Sequence, residues 1–185
     1  VNGGAYTPGL PVTLASGAQV TFQANGNYTY NTNGQFENLA AGSSVFDSFT
    51  YQISDGNGGF DTATVLVTIN GANDAPIFTT LNLTISEGSS VILGASNINS
   101  IDYDNSADDL IYSVAGLTGG QFEYLASPNV AITSFSQTEI NNGLVQFVHD
   151  GGEAAPDFQL TVSDGSLIDG PYSPLMNFTN VNDNP

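Results

Sequence analysis

The chain has 185 residues, with 18 Asp plus Glu and neither Lys, Arg nor Cys, so its formal charge is −18 at pH 7. That balance excludes phosphate-driven binding to nucleic acid and polybasic anchoring to anionic lipid, both of which draw their affinity from Lys and Arg. It also excludes disulfide stapling and leaves every carboxylate to be solvated, hydrogen-bonded or met by a metal ion, while a 40% hydrophobic content with 11 Phe and 8 Tyr suffices for packed cores.

In chain order, residues 1–75 predict short strands punctuated by Gly and Asn. Pro11–Leu14, Gln19–Phe22 and Asn27–Tyr30 are the first three, with Ala24-Asn25-Gly26 as a hairpin turn between the last two. Phe36–Ala41 reads as a loop. Phe46–Ser54 alternates, with Phe49, Tyr51 and Ile53 on one face, and Thr62–Ile69 is rich in β-branched residues. Between them Asp55-Gly56-Asn57-Gly58-Gly59 supplies turn conformations that Gly and Asn adopt cheaply. From Pro76 onward, strands are predicted around Leu81, Leu83 and Ile85, then at Val91–Leu93, Leu110–Val114, Gly119–Tyr124, Leu144–His149, Phe158–Ser163 and Pro174–Val181. Ser136 with Glu139 three residues on is a capping-box pattern and predicts one helical turn, ended by Gly143. No run approaches the length of a membrane span. Val1-Asn2-Gly3-Gly4 does not resemble a signal peptide, so export is expected to be directed from outside this stretch.

The chain repeats itself. Asn73-Asp74-Ala75-Pro76 returns as Asn182-Asp183-Asn184-Pro185, and Ser54-Asp55-Gly56 returns as Ser163-Asp164-Gly165. Asp55 precedes Asp74 by 19 residues, Asp164 precedes Asp183 by 19, and the copies stand 109 residues apart. A period of that size is one β-sandwich domain, so two tandem modules are expected, 1–75 and 76–185, each closed by an acidic linker.

The motifs carry a family resemblance. Phe49–Gly59, Asp61–Val65 and Asn73–Pro76 resemble the bacterial cadherin-like repeats of the VCBS type found in giant secreted adhesins. Residues 76–185 resemble the cadherin-like repeat of chondroitin sulfate proteoglycans. The matching pieces are Ile85–Gly88, Asp102-Tyr103-Asp104, Ser134–Gln137 with Glu139-Ile140, Val148–Gly151, Val162–Gly165 and Val181–Pro185. The resemblance implies an all-β chain of two tandem cadherin- or immunoglobulin-like β-sandwich modules, extracellular, with calcium between repeats. Carried over residue by residue, it assigns Asn73, Asp74, Asp102, Asp104 and Asp164 to one ion-binding joint, and Glu87, Asn182 and Asp183 to the next. A hard cation wanting six to eight oxygens suits such a set. Neither half contains the Leu-Asp-Arg-Glu motif of cadherins, so one or two ions are expected rather than three.

Other readings compete. Asp and Asn also form turns by bonding their own backbone, and this is the preferred use of Asp55–Gly59 and Asp150–Gly152. His149 is expected as a strand-edge residue satisfied by hydrogen bonds. The sequons at Asn27, Asn82 and Asn177 arise readily by chance in an Asn- and Thr-rich chain. A calcium-stiffened repeat of a bacterial adhesin or surface filament is the favoured function, partnered by neighbouring repeats. A carbohydrate-binding sandwich is the alternative, weakened by the absence of Trp, and a carboxylate-pair glycosidase comes third, so no enzyme is expected. Shifting Asp102 and Asp104 back by one period passes residue 1. The first module is therefore expected to lack a strand at its start, which would leave a groove for strand donation from another copy.

Overall fold

The computed structural model describes residues 1–3 and 5–182 and divides the chain into two compact units, Val1–Ala72 and from Asn73 onward. Asn73 and Asp74, which the repeat reading placed at the end of the first module, thus belong to the second.

The first unit contains β1 (Pro11–Thr13), β2 (Gln19–Phe22), β3 (Tyr28–Asn31), β4 (Ser44–Ser54) and β5 (Phe60–Asn70). β1, β2 and β3 form an antiparallel sheet in that order, and β4 and β5 pair one to one over 11 residues each. The ribbon turns at Asp55, whose Oδ1 accepts the N–H groups of Asn57 (2.7 Å) and Gly59 (2.9 Å), with Gly56 at φ 74°. The acid is consumed by its own turn, as expected of an Asx-turn. The two sheets close on Leu14, Ala18, Val20, Phe22 and Phe49, with the Phe22 and Phe49 rings edge to face at 5.8 Å. Asp47 joins them. Its Oδ2 accepts from the Ser16 hydroxyl (2.6 Å) and the Tyr30 phenol (2.7 Å), which hold its carboxyl below the ordinary range against the opposing effect of burial. Among the described residues the unit therefore holds five strands, three facing two. Asn2 adds backbone bonding to β4 at Thr50.

The second unit contains β6 (Ile77–Ser86), β7 (Ser90–Ile92), β8 (Ile98–Ile101), β9 (Ile111–Thr118), β10 (Gly120–Tyr124), β11 (Ala131–Ile132), β12 (Ser134–Ser136), α1 (Gln137–Asn141), β13 (Val145–His149), β14 (Asp157–Ser163), β15 (Ile168–Tyr172) and β16 (Leu175–Thr179). One sheet runs β11-β10-β13-β7 and another β12-β9-β14-β15. β6 serves two partners, pairing antiparallel with β8 through its first half and parallel with β16 through its second. The inward faces follow strand alternation: Val145, Phe147 and His149 on β13, and Phe158, Leu160 and Val162 on β14, are buried. Phe122, fully buried, stands at the centre, its ring 5.1 Å from Phe147, 5.0 Å from Phe158 and 5.3 Å from Phe135. The chain is all-β, two sandwiches in tandem, with one short helix among the described residues.

α1 carries the capping box in full, Ser136 Oγ accepting from Glu139 N–H and Glu139 Oε2 from Ser136 N–H. Its first residue, Gln137, is 2% exposed and ties three elements together. Its Oε1 accepts from Ser100 N–H (2.7 Å) and from the Tyr112 hydroxyl, and its Nε2 donates to Asn141 Oδ1 (2.8 Å). His149 is buried rather than at an edge. Its Nδ1 accepts from the N–H groups of Gly88 (3.3 Å) and Gly151 (3.0 Å), its Nε2 faces Ala154 O (3.1 Å), and its ring stacks on Phe178 at 5.0 Å. Two donors on Nδ1 and a carbonyl facing Nε2 make the imidazole a brace for the turn after β6.

Candidate metal centre

Three strand ends meet at one pole of the second unit, and the pairing registers dictate which residues arrive there. Ile77 on β6 faces Ile101 on β8 antiparallel, so the residues before β6 come beside those after β8. Ser163 at the end of β14 faces Ile111 at the start of β9, so Asp164 comes beside the end of the β8–β9 loop. Asn73, Asp74, Asp102, Asp104 and Asp164 are accordingly at one pole, all half-buried.

Asp102 Oδ1 accepts from the N–H groups of Asp104 and Asn105, both at 3.1 Å, which closes the loop as an Asx-turn. Asp104 Oδ1 accepts from Asp74 N–H at 3.4 Å. Asn73 Nδ2 donates to Asp164 Oδ2 (2.7 Å) and to Asp74 O (2.7 Å). Asn73 thus meets Asp164 as a donor, with its nitrogen rather than its oxygen; half a turn about its amide bond to Cβ would exchange the two. Asp164 Oδ1 also accepts from Ser166 and Leu167 N–H. Burial works to raise the Asp164 carboxyl, but the backbone bonds and the Asn73 amide outweigh it and hold it below the ordinary range.

The remaining oxygens are unsatisfied. Asp102 Oδ2, Asp104 Oδ2 and Asn105 Oδ1 are buried and accept no hydrogen bond, and Ser100 Oγ behind them is in the same condition. Leaving a buried acceptor unpaired costs about 1–3 kcal/mol, more when it is charged, and here three such oxygens lie within four residues of sequence. Burial raises the Asp102 carboxyl above its ordinary range, the loop amides pull it partly back, and Asp104 pushes it up again, as an acceptor for the Asp102 proton and by its charge. The chain offers no Lys or Arg to offset the pair. A water could donate to these oxygens but would not relieve the repulsion between two carboxylates. An oxygen-seeking cation does both, so the residues present fit calcium. Among the described residues no group of three or more His, Cys, Asp or Glu side chains is placed to hold a metal ion. An ion held here would therefore draw on two carboxylates and need amide, backbone and water oxygens to complete its shell.

Glu87, Asn182 and Asp183 belong elsewhere. Glu87 follows β6 whereas Asn73 and Asp74 precede it, so they stand at opposite ends of that strand. Glu87 Oε2 accepts from Val181 N–H (2.9 Å) and its own N–H donates to Thr179 O (2.9 Å), which fastens the chain as it leaves β16. Asn182 follows directly, and Asp183 lies outside the described residues. Asn105 is the residue that the motif reading passed over. An Asn following two acids reads as another turn-former, and only the burial of its carbonyl marks it out.

A pH dependence follows from Asp102. A carboxyl raised on folding favours the folded state while protonated, so its contribution is complete below about pH 4 and is lost as pH rises through its raised folded value. In chelator, urea midpoints of the wild type should therefore fall across that window, and those of Asp102→Asn should not. Asp164 and Glu123, whose carboxyls are held low, act in a separate window: their contribution is present above about pH 4 and lost as pH falls through their folded values. Equal slopes for the two proteins above pH 4 would contradict the role given to Asp102.

Comparison with known proteins sets this geometry in a family. The family described as "Cadherin-like" matches residues 76–179, and that described as "Bacterial cadherin-like domain" matches residues 1–71. Chondroitin sulfate proteoglycan 4 of Homo sapiens is 32% identical over 105 residues, 54% of this chain and 4% of that protein. Extracellular matrix organizing protein FRAS1 of Homo sapiens is 28% identical over 123 residues, 64% of this chain and 3% of that protein. Extracellular matrix protein 3 of Lytechinus variegatus is 27% identical over 123 residues, 64% of this chain and 4% of that protein. The chain spans only a few hundredths of the length of these relatives.

Proposed function

Because the chain belongs to the cadherin-like family, through a match over residues 76–179 with a bacterial cadherin-like domain before it, we propose that it is an extracellular, calcium-stiffened structural repeat serving adhesion or surface assembly. One observation carries the calcium reading: the buried, unpartnered oxygens of Asp102, Asp104 and Asn105 in a chain without Lys or Arg. Asp102 and Asp104 would hold the ion. Asp164, Asn73 and the backbone at Asp74 stand beside them and would complete the set with water. The bound ion supplies positive charge where the fold has gathered only negative. Asp74 lies in the first residues of the second unit, and its N–H donates to Asp104. An ion on Asp104 would therefore order the entry segment together with the loop, which is the physical content of stiffening. Extracellular location is supported by relatives that are named as extracellular matrix proteins.

The test is a calorimetric titration of the whole chain with calcium chloride. Saturable binding of about one ion, removed by Asp102→Asn, is the expected result. Heats indistinguishable from dilution would refute the reading. Saturable binding of a glycan with no calcium response would favour a carbohydrate-binding module in its place.

A further inference from the structure

Beside Asp102 lies an open cleft of about 270 Å³, lined by Asn99, Ser100, Asp102, Asn105, Gln137 and Asn141 together with Ile101, Ala107 and Leu110. Gln137 and Asn141 are occupied with each other and with β8. Ser100 is 4% exposed, and its hydroxyl has at most a loose contact with the Tyr112 phenol, whose own proton goes to Gln137. The acceptor side of the hydroxyl is therefore open to another donor. Asn105 contributes a buried carbonyl oxygen with no donor, although its backbone N–H is used by Asp102. Asp104 does not line this cleft; it faces Asp74 on the other side. Asp102 therefore stands between the acidic side of the site, at Asp104 and Asp74, and a cleft whose other polar lining is neutral.

We infer that Asn105 is a ligand of the cation from the side of the cleft, with Ser100 bonded to a water that the cation retains there. The inference rests on the calcium reading above and assigns to the ion two residues that the Asp-x-Asp pattern does not include. The chemistry is consistent. Calcium accepts neutral amide oxygens alongside carboxylates and keeps waters when the protein supplies too few ligands. A cleft of this volume is larger than an ion needs, and a water placed there requires two or more polar partners. The ion, Ser100 Oγ and Asn105 Oδ1 supply them. An amide in place of a third carboxylate also spares the empty site further repulsion, which matters in a chain with no cation of its own.

The opposing signs of two measurements make the inference testable. Calcium chloride would be titrated into the whole chain, as wild type and as Asn105→Ala, Asn105→Asp, Ser100→Ala and Asp102→Asn. Each protein would also be melted in chelator. Asn105→Ala should weaken calcium binding about tenfold, while its melting temperature in chelator is unchanged or higher, because a buried carbonyl without a partner has been removed. Asn105→Asp should do the reverse, binding more tightly and melting lower in chelator. Ser100→Ala should weaken binding by a smaller factor, about twofold to threefold. If Asp102→Asn abolishes binding while Asn105→Ala binds like the wild type, the Asn105 ligand is refuted and the calcium reading stands. If Asn105→Ala melts lower in chelator by as much as in calcium, Asn105 is structural and the inference fails. If the wild type binds no calcium, both readings fall together.

Discussion

Raising calcium to about a hundredfold excess over its dissociation constant should stabilise the second unit by about 2.7 kcal/mol relative to chelator. For a unit of this size that is an upward shift of about 10 °C in melting temperature. The gain arises because the unfolded chain scatters Asp102, Asp104 and Asn105 into water, where each carboxylate is solvated and none is preorganised. Folding gathers them at a cost that the empty site never recovers, since Asp102 Oδ2, Asp104 Oδ2 and Asn105 Oδ1 find no donor. The ion converts that cost into binding energy available only to the folded state. Asp102→Asn and Asp104→Asn should each remove most of the calcium-dependent shift, and Asp102→Asn should melt higher than the wild type in chelator, by about 1 kcal/mol in stability. Glu87→Gln, at the other end of β6 and bonded to Val181, should leave the shift intact. Melting curves that coincide in calcium and chelator would refute the argument, and a shift lost equally in Glu87→Gln would move the site to the other pole.

Much of the architecture was legible because strand alternation and turn chemistry agreed. Gln19–Phe22 and Phe158–Ser163 declare themselves by period and by the Gly and Asn that bound them, and the Ser136–Glu139 capping box names its own helix start. The strands passed over had a physical reason for silence. In β15 the Gly170-Pro171 pair interrupts the pattern, since Pro offers no N–H to a ladder, yet Ile168, Asp169 and Tyr172 still pair with β14. β8 carries Asn99 and Ser100 between its two isoleucines, and β11 and β12 are too short to show a period. At the site, the acids were readable as a spacing, but what distinguishes them from ordinary turn-formers was not. Asp55 and Asp102 each sit in an Asx-turn. The difference is that Asp55 is an exposed residue, while Asp102 has a second oxygen buried without a partner. Burial of that kind is decided by which strand ends converge, and so by the β6–β8 and β9–β14 registers. Asn73 shows the same limit from the other side: sequence places it beside Asp164 but does not say which end of its amide faces the carboxylate.

Phe122→Ala should produce the largest single loss, about 3–5 kcal/mol, because it empties the centre of an aromatic cluster whose other members cannot collapse into the gap. The ring is fully buried, with Phe147 and Phe158 edge to face with it at 5.1 Å and 5.0 Å and Phe135 tilted against it at 5.3 Å. Domains of this size hold only about 5–15 kcal/mol in total, so in chelator the variant should melt about 15 °C lower than the wild type. Phe122 is not among the residues proposed to hold calcium. The calcium increment should therefore be added to whatever stability remains, at about the same 2.7 kcal/mol for the same excess of ion. Near the lowered midpoint that increment decides the outcome, so at one temperature the variant should be mostly unfolded in chelator and mostly folded in calcium. Circular dichroism at that temperature, with calcium added and then chelated, reads the switch directly. If calcium fails to refold Phe122→Ala while still stabilising the wild type, the loop at Asp102 depends on the core packing beneath it, and the two contributions are not separable.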